Sequence, residues 1–262
     1  MHGLGNDFVV IDARVDAITI TETRARAIAD RHTGIGCDQL ILLEPSTSAD
    51  AKMRTWNADG SEVEICGNAA RAVAVLLGAG ATLETAGGPI SVSAHDHGAT
   101  VTMGEPRFDW DSIPLAYAVD TRAMPVGWEA LESPIAVNVG NPHVVFFVDD
   151  AAGIDLARLG PIIEHDPLFP ERINVNVATI TGPSSLQLRV WERGAGLTRA
   201  CGTGACATAV AAIRSKRVTS PVTVSLPGGD LTISWAPGDT IRMTGAATHV
   251  FKGETDWNMF GL

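Results

Sequence analysis

Basic residues are scarce in this sequence: its 262 residues include 19 Lys and Arg against 30 Asp and Glu, a formal net charge of −11. Because a nucleic-acid-binding face requires a basic patch, this balance argues against a nucleic-acid partner, although it does not exclude an anionic small molecule. No apolar run approaches the ~18 residues that a membrane-spanning helix needs. The start of the sequence lacks the basic and apolar regions of a secretory signal, so we expect neither secretion nor membrane attachment.

Cysteine is also rare, and the four present are scattered. In a chain of this size they do not make a disulfide framework, and none belongs to the C-x₂-C pair of a zinc site. We therefore expect free thiols in a reducing cytoplasm and no bound metal. Cys206 is interpreted as a core residue, and Cys37, in a glycine-rich turn, stays undecided. The other two are Cys66 and Cys201.

Cys66 and Cys201 each stand in a Cys-Gly motif, CGNAAR and CGTGAC, directly before an alanine-rich run without proline. These runs predict helices over 68–77 and 203–213, with Asn68 and Thr203 as N-cap residues. A cysteine at a helix N-terminus lies close to free N–H groups, which stabilise an anion and lower the thiol pKa. Two such cysteines suggest two acid/base groups that face one substrate from opposite sides.

The two halves of the chain follow one plan, a weak internal repeat of roughly 135 residues from Cys66 to Cys201. A helix that is apolar nearly all round is buried on all sides. We therefore predict an α+β fold of two pseudo-symmetric lobes, each a mixed or antiparallel sheet wrapped around a central helix, with the active site in the cleft between them. The N-terminal lobe comprises 1–112 plus 247–262, and the C-terminal lobe comprises 113–246.

Local patterns add further elements to this plan. A helix is predicted over 21–32, ended by Gly34, and a helical turn or two over 155–165. Alternating apolar residues predict strands that include 115–119 and 247–252.

Amide side chains recur at predicted strand ends and turns. Each alone is explained by turn chemistry, because Asn bonds its own backbone readily. Together they would form a neutral hydrogen-bonding wall for a polar ligand. The set comprises Asn6, Gln39, Asn57, Asn141 and Asn174.

Glu192 and Arg193 stand just before the sequence Gly194-Ala195-Gly196. Adjacent strand residues face opposite ways, so both reach one site only if the strand ends there. The arginine would then hold a carboxylate of the ligand; a surface ion pair is the alternative. His143 is either an acid/base helper or a buried structural histidine.

The chain resembles, over nearly its whole length and in order, the diaminopimelate epimerase family. The two cysteine motifs together are highly specific, whereas either alone is shared with proline-racemase-like relatives. Ala69 and Ala246 stand where the family usually has Gly and Glu, and the family usually carries several residues before MHGLGNDF that form a first strand. The matching segments are HGLGNDF (2–8), GIGCDQL (34–40), NADGSE (57–62), CGNAAR (66–71), GNPH (140–143), FPERIN (169–174), ERGAGLTRACGTGACA (192–207), LPGG (226–229) and ATHV (247–250).

This resemblance implies an isomerase that interconverts LL- and meso-diaminopimelate in lysine and peptidoglycan precursor synthesis. It implies a cytoplasmic homodimer that needs neither PLP nor another cofactor. By motif, Cys66 and Cys201 are the acid/base pair, and His143 and Glu192 tune the site. The substrate-contacting positions are Asn6, Gln39, Asn57, Gly67, Asn68, Asn141, Asn174, Glu192, Arg193, Gly202 and Thr203.

Three other interpretations remain open at this stage. A cofactor-independent racemase of the same fold could act on proline, hydroxyproline or another amino acid; Asn57, Arg193 and the CGN motif favour diaminopimelate. A thiol redox or binding protein would use two cysteines without proton transfer, but the chain has no C-x-x-C pair. A catalytically inactive relative is disfavoured by the cysteines at both motifs.

Overall fold

The structure, a computed structural model, describes residues 1–63, 67–96 and 98–260. Cys66 lies outside the described residues. The chain forms two compact units, Met1–Val101 with Gly245–Leu262 and Thr102–Thr244. The sequence placed these boundaries at 112 and 246. In the structure Met103 N–H donates to Ile241 O and Arg107 bridges to Asn138, so the segment after 101 belongs to the second unit.

Helices and strands of the first unit alternate along the chain. The helices are α1 (Glu22–Ala29) and α2 (Gly67–Leu77), with a 3₁₀ turn at Trp257–Phe260. The strands are β1 (His2–Gly3), β2 (Asn6–Asp12), β3 (Gln39–Glu44), β4 (Ala51–Asn57), β5 (Glu62–Val63), β6 (Ala81–Thr85), β7 (Gly88–His95) and β8 (Gly98–Thr102), the last of which crosses the unit boundary.

The second unit has the same kinds of element. Its helices are α3 (Leu156–Glu164) and α4 (Gly202–Arg214). Its strands are β9 (Gly127–Trp128), β10 (Leu131–Glu132), β11 (Ile135–Asn138), β12 (Pro142–Phe147), β13 (Asn174–Gly182), β14 (Ser185–Glu192), β15 (Gly196–Thr198), β16 (Val222–Leu226), β17 (Gly229–Ser234) and β18 (Arg242–Gly245), which ends at the unit boundary.

Strand pairing repeats from one unit to the other. In the first unit, β1-β2-β3-β4-β6-β7 pair antiparallel, parallel, antiparallel, parallel and antiparallel. In the second unit, β11-β12-β13-β14-β16-β17 pair in the same succession of directions. The short strands β5 and β15 pair antiparallel with β4 and β14. This mixed α+β architecture confirms the predicted fold class and the internal repeat.

Strand register repeats with the same period. Phe8 pairs with Gln39 between β2 and β3, and His143 pairs with Asn174 between β12 and β13. From 8 to 143 and from 39 to 174 the separation is 135 residues, the period inferred from the two cysteines. The candidate residues Gln39 and Asn174 therefore occupy equivalent positions in the two units.

The central helices are buried because their faces are alanine-rich. All of 204–212 in α4 is buried, and so is 67–74 in α2, while Leu76 near the end of α2 is 40% exposed. The two predicted N-cap residues lie inside their helices instead. Cys201 is the N-cap of α4, and Thr203 and Asn68 lie in the first helical turns.

Three other local predictions are wrong. Helix α1 ends at Ala29 rather than 32, because the Asp30 carboxylate accepts from the N–H groups of His32 and Thr33. Segment 115–119 is not a strand; it follows Pro114, whose φ is 25°. Segment 247–252 contains only an isolated bridge from Thr248 to His2.

Candidate active site

Cys201 lies in the second unit, at the N-terminus of α4, with its thiol 3% exposed. Its Sγ accepts the backbone N–H of Gly204 at 3.4 Å and lies 3.6 Å from Thr203 Oγ1. A Cβ at position 204 would lie 3.3 Å from Sγ and 2.7 Å from Asn176 Oδ1. The glycine is therefore what lets the sulfur sit against the end of the helix.

The electrostatics of Cys201 differ from the sequence expectation. Burial raises the pKa of this thiol well above its usual value, and the nearby Glu192 carboxylate raises it further. The hydroxyl of Thr203 and the N–H of Gly204 act in the opposite direction but do not outweigh burial. The helix N-terminus therefore acts in the expected direction through Gly204, but burial and Glu192 reverse the net shift, which favours the protonated thiol at neutral pH.

Glu192 is the last residue of β14, so the strand ends where the sequence required it to end. Its Oε1 accepts a hydrogen bond from the hydroxyl of Thr198 on the neighbouring β15. Burial raises the pKa of Glu192, while its bonds with Thr198 and Cys201 lower it. The Glu192 carboxyl group can therefore bind an ammonium group beside the Cys201 thiol.

Arg193 follows directly and its side chain is exposed. The backbone N–H of Arg193 donates to Asn174 Oδ1 at 3.0 Å, and the Asn174 amide donates to Pro142 O at 2.8 Å. One guanidinium nitrogen donates to Glu171 O at 2.9 Å. Asn174 thus fixes the backbone at Arg193, while the exposed guanidinium can meet an anionic group.

His143 is fully buried and lies in a line of polar contacts. Its Nε2 is 2.8 Å from Asn141 Oδ1, and its Nδ1 is 3.1 Å from Asn176 Nδ2. The Asn141 amide donates to Thr203 Oγ1 at 3.3 Å. Burial lowers the pKa of His143 to about 3, so the imidazole is neutral at neutral pH. Of the two interpretations left open, the structure supports a buried histidine that does not itself carry the reacting proton.

Sequence reasoning missed two buried polar residues here. Asn176 is two residues after Asn174 on the same strand and hence on the same face, which was the available signal. Glu164, at the end of α3, accepts from Trp191 Nε1 at 2.7 Å and from Gly194 N at 3.0 Å. Glu164 thereby holds the turn that follows Glu192, yet a glutamate in the last turn of a helix looks like a surface residue.

The first unit brings its candidate amides together in pairs. Gln39 Nε2 donates to Asn57 Oδ1 at 3.0 Å, and Asn68 Nδ2 donates to Asn6 Oδ1 at 3.3 Å. Asn68 Oδ1 in turn accepts from the buried guanidinium of Arg71 at 2.8 Å. Gly67 begins helix α2, so its N–H belongs to the first turn, which a helix leaves without an internal partner.

The remaining cysteines are core residues. Cys206 is 0% exposed on α4, as predicted, and burial raises the pKa of Cys37 to about 11. Within residues 1–63, 67–96 and 98–260, no group of three or more His, Cys, Asp and Glu side chains could hold a metal ion. No helix of the same ranges is long and apolar enough to cross a membrane.

The fold is shared with solved structures that include an epimerase and a phenazine biosynthesis protein. A hydroxyproline epimerase from Agrobacterium vitis aligns with a TM-score of 0.64 at 17% identity, over 94% of this chain and 86% of its own. A phenazine biosynthesis protein of the PhzF family from Bacillus anthracis aligns with a TM-score of 0.64 at 14% identity, over 94% and 92%. At these identities the likeness defines the fold class alone.

The particular family follows from sequence similarity. The family model "Diaminopimelate epimerase" matches residues 1–109 and 135–250, and this chain belongs to that family. The chain is 69% identical over 261 residues to "Diaminopimelate epimerase" of Sphingopyxis alaskensis, covering 100% of this chain and 97% of the relative. It is 58% identical over 261 residues to that of Zymomonas mobilis, covering 99% and 97%. The chain is therefore an isomerase, and the resemblance seen in its motifs is confirmed.

Proposed function

We propose that this chain interconverts LL- and meso-2,6-diaminopimelate by moving one α-proton between two cysteines, for lysine and peptidoglycan precursor synthesis. The observation that carries the proposal is the buried Cys201 thiol at the N-terminus of α4, beside Glu192, in a chain of this family. Inversion of an α-carbon requires a base on one face and an acid on the other. Cys66 and Cys201 supply this pair, and their roles exchange in the reverse reaction.

The direction of the Cys201 pKa shift supports one assignment of the starting roles. Because burial and Glu192 hold its pKa high, Cys201 enters the reaction as the thiol that donates a proton. Cys66 is then the thiolate that removes the α-proton. After turnover the two cysteines have exchanged states, so the protein returns ready for the opposite isomer.

The carbanion next to the substrate carboxylate has to be stabilised by preorganised donors. We assign this role to the N–H groups of Gly202 and Thr203 in α4 and of Gly67 and Asn68 in α2, since helix N-termini bind anions. One well-placed donor of this kind contributes about 3 kcal/mol to a transition state. These donors would stabilise the carbanion, which is the role that a PLP ring has in enzymes that use that cofactor.

The lysines support chemistry without PLP, which requires a lysine for its Schiff base. Lys216 and Lys252 are exposed, and Lys52 lies 3.9 Å from Glu44 on the neighbouring strand β3.

The distal end of diaminopimelate carries an ammonium and a carboxylate group. We assign the exposed Arg193 guanidinium to the carboxylate, because Arg binds carboxylates in a bidentate manner. We assign Glu192, which lies beside the Cys201 thiol, to the ammonium. Neutral donors and acceptors complete the contacts, namely Asn6, Gln39, Asn57, Asn141 and Asn174. His143 and Glu192 tune the thiol rather than exchange the substrate proton.

We further propose a homodimer in a reducing cytoplasm, as the family resemblance implies and the need for reduced thiols supports. Light scattering on the reduced protein tests the oligomer: twice the chain mass of 27.4 kDa is expected. A particle of one chain mass at micromolar concentration would contradict it.

Solvent deuterium incorporation tests the function. The reduced protein is incubated with LL-diaminopimelate in D₂O without PLP or metal, and the α-proton is followed by NMR. We expect exchange and epimerisation in the parent, and loss of epimerisation in Cys66→Ala and in Cys201→Ala. Cys206→Ala is the matched control, since Cys206 is a core residue of the same helix as Cys201.

A parallel incubation with hydroxyproline distinguishes a diaminopimelate epimerase from a racemase of the same fold that acts on proline or hydroxyproline. Exchange on hydroxyproline and none on diaminopimelate, in protein shown to be folded, would replace the substrate assignment. Epimerisation that survives in either cysteine variant would remove the two-cysteine mechanism.

A further inference from the structure

Asn176 stands at the far end of a hydrogen-bonded line that leads to Cys201, and all of its members belong to the second unit. The line runs from Asn176 to His143, then through Asn141 to Thr203, with distances of 3.1, 2.8 and 3.3 Å. Thr203 Oγ1 then lies 3.6 Å from Cys201 Sγ. Asn176 and His143 are both fully buried.

Donor and acceptor roles along this line follow from one carbonyl group. The Asn176 Nδ2 amide also faces Val144 O at 3.0 Å, and a carbonyl oxygen can only accept. The nitrogen of Asn176 is therefore on the side of His143, where it donates to Nδ1. A neutral imidazole that accepts at Nδ1 carries its proton on Nε2.

The donors and acceptors between His143 and the thiol are fixed in the same way. Because Nε2–H donates to Asn141 Oδ1, the amide nitrogen of Asn141 faces Thr203 and donates to Oγ1. The Thr203 hydroxyl accepts this bond, so its own hydrogen is free to point at Cys201 Sγ. An O–H donor stabilises a thiolate more than a thiol, because bonds to charged acceptors are the stronger ones.

We propose that Asn176 is a positioning residue that fixes the Nε2–H tautomer of His143 and thereby directs the Thr203 hydroxyl hydrogen to Cys201 Sγ. The amide nitrogen of Asn176 contacts neither the thiol nor the first turn of α4, while its Oδ1 lies close to Gly204 in that turn. The proposed effect passes from the nitrogen through His143, Asn141 and Thr203. The proposal rests on the proposed function only in taking Cys201 as the reacting thiol.

Two charged residues, Glu192 and Arg193, lie close to this line, but neither supplies a hydrogen bond to Cys201 Sγ. Glu192 on β14 faces Cys201 and opposes ionisation of the thiol. Arg193 disfavours a positive charge on His143. Neither group donates a hydrogen bond to Sγ, whereas the backbone N–H of Gly204 does so at 3.4 Å, and the Thr203 hydroxyl, 3.6 Å from Sγ, is the donor that the line would direct there.

The first measurement is the tautomer itself. Long-range ¹H–¹⁵N NMR on ¹⁵N-histidine-labelled protein at pH 7, with the His143→Gln variant for assignment, reads the protonation of both ring nitrogens. We expect Nε2 to be protonated and Nδ1 to be free. A proton on Nδ1, or on both nitrogens, would overturn the proposal, and this result needs neither substrate nor a variant of Asn176.

The second measurement is the reactivity of Cys201 at pH 8, followed by peptide mass spectrometry with a small alkylating reagent. The thiolate is the reacting species, so below the pKa the rate is proportional to the thiolate fraction. We expect Asn176→Leu and Thr203→Val each to lower the rate about tenfold, as loss of one bond to an ionised group predicts. Thr203→Ser keeps the hydroxyl and should restore the parent rate.

The double variant distinguishes positioning from a general structural effect. If Asn176 acts through Thr203, Asn176→Leu should have no further effect in a Thr203→Val background. Multiplicative losses would show that Asn176 acts by another route and would overturn the proposal. Thr208→Val is the control, because Thr208 is a buried residue of α4 whose hydroxyl has no partner among the described residues. Alkylation is independent of turnover, so a failed epimerase assay leaves both tests valid.

Discussion

Asn57 and Glu192 occupy equivalent positions in the two units. Each is the last residue of its strand, β4 or β14, and from 57 to 192 the separation is 135 residues. Asn57 Oδ1 accepts a bond from Gln39, whereas Glu192 raises the pKa of Cys201. The repeat thus places a neutral amide at one strand end and a carboxyl group at the other, and the thiol beside the carboxyl group is the one held protonated.

Glu192→Gln should make Cys201 more reactive while it reduces catalysis. Removing the carboxylate removes a charge that opposes ionisation, so the pKa of Cys201 should fall and alkylation at pH 8 should rise about tenfold. Turnover of diaminopimelate should drop, because the ammonium contact is lost. The alkylation rate of the Cys201 peptide and kcat/KM are the two readouts.

Glu171→Gln is the matched control, since Glu171 is an exposed carboxyl residue of the same unit. It should change neither readout. An unchanged Cys201 reactivity in Glu192→Gln would mean that burial alone holds the thiol protonated.

Gly204→Ala should displace the thiol without unfolding the protein. The added methyl would lie 2.7 Å from Asn176 Oδ1 and 3.3 Å from Cys201 Sγ, so the Asn176 side chain or the helix has to shift and the sulfur is crowded as well. A displacement of this kind at a reacting atom costs about 100-fold in kcat/KM, and overpacking costs roughly 1–3 kcal/mol of stability. Gly104→Ala is the comparison, since nothing lies within 4 Å of its added Cβ; equal losses in both would contradict the steric argument.

Glu164→Ala should destabilise the second unit by about 2 kcal/mol, because a buried donor left without its acceptor costs roughly 1–3 kcal/mol. It would leave Trp191 Nε1 and the Gly194 N–H without their acceptor. The midpoint of urea unfolding measures this loss. Glu171→Ala, at an exposed site, should stay within ~0.5 kcal/mol, and a Glu164→Ala midpoint that matches it would refute the anchoring role.

Stability should fall as the pH drops below neutrality, partly because of His143. Its pKa is lowered from 6.5 unfolded to about 3 folded. Between these values the unfolded chain binds a proton that the folded chain does not, so stability rises with pH across this window by up to about 1.4 kcal/mol per unit. Urea unfolding at pH 7 and at pH 5 measures the slope.

His143→Gln should reduce that slope, because the residue that protonates on unfolding is gone. His95→Gln, at an exposed position, should leave it unchanged. The same slope in all three proteins would show that other groups account for the acid dependence.

The sequence was sufficient for the features that depend on local pattern. Alanine-rich runs after two Cys-Gly motifs located α2 and α4 to within a residue, and the Gly194-Ala195-Gly196 break located the end of β14 at Glu192. These follow from helix propensity and from the backbone freedom of glycine, which need no knowledge of tertiary packing.

Tertiary packing decided what the sequence missed. A helix N-terminus predicts a low thiol pKa only where water still reaches the sulfur, and at Cys201 burial reverses the direction. Segment 115–119 has strand composition, yet Leu115 N–H closes a turn onto Trp110 O after the unusual backbone of Pro114. The position of Glu164 in the last turn of a helix is typical of a surface residue, whereas in the structure Trp191 Nε1 and the Gly194 N–H donate to its carboxylate.

Four pairs of site positions share the separation of 135 residues: Asn6 and Asn141, Gln39 and Asn174, Asn57 and Glu192, and Cys66 and Cys201. No net insertion or deletion has therefore accumulated from the first paired strand to the two thiols. Of the four pairs, only Asn57 and Glu192 combine a neutral side chain with an acidic one, so the two half-sites of the repeat differ in charge at this single pair of positions.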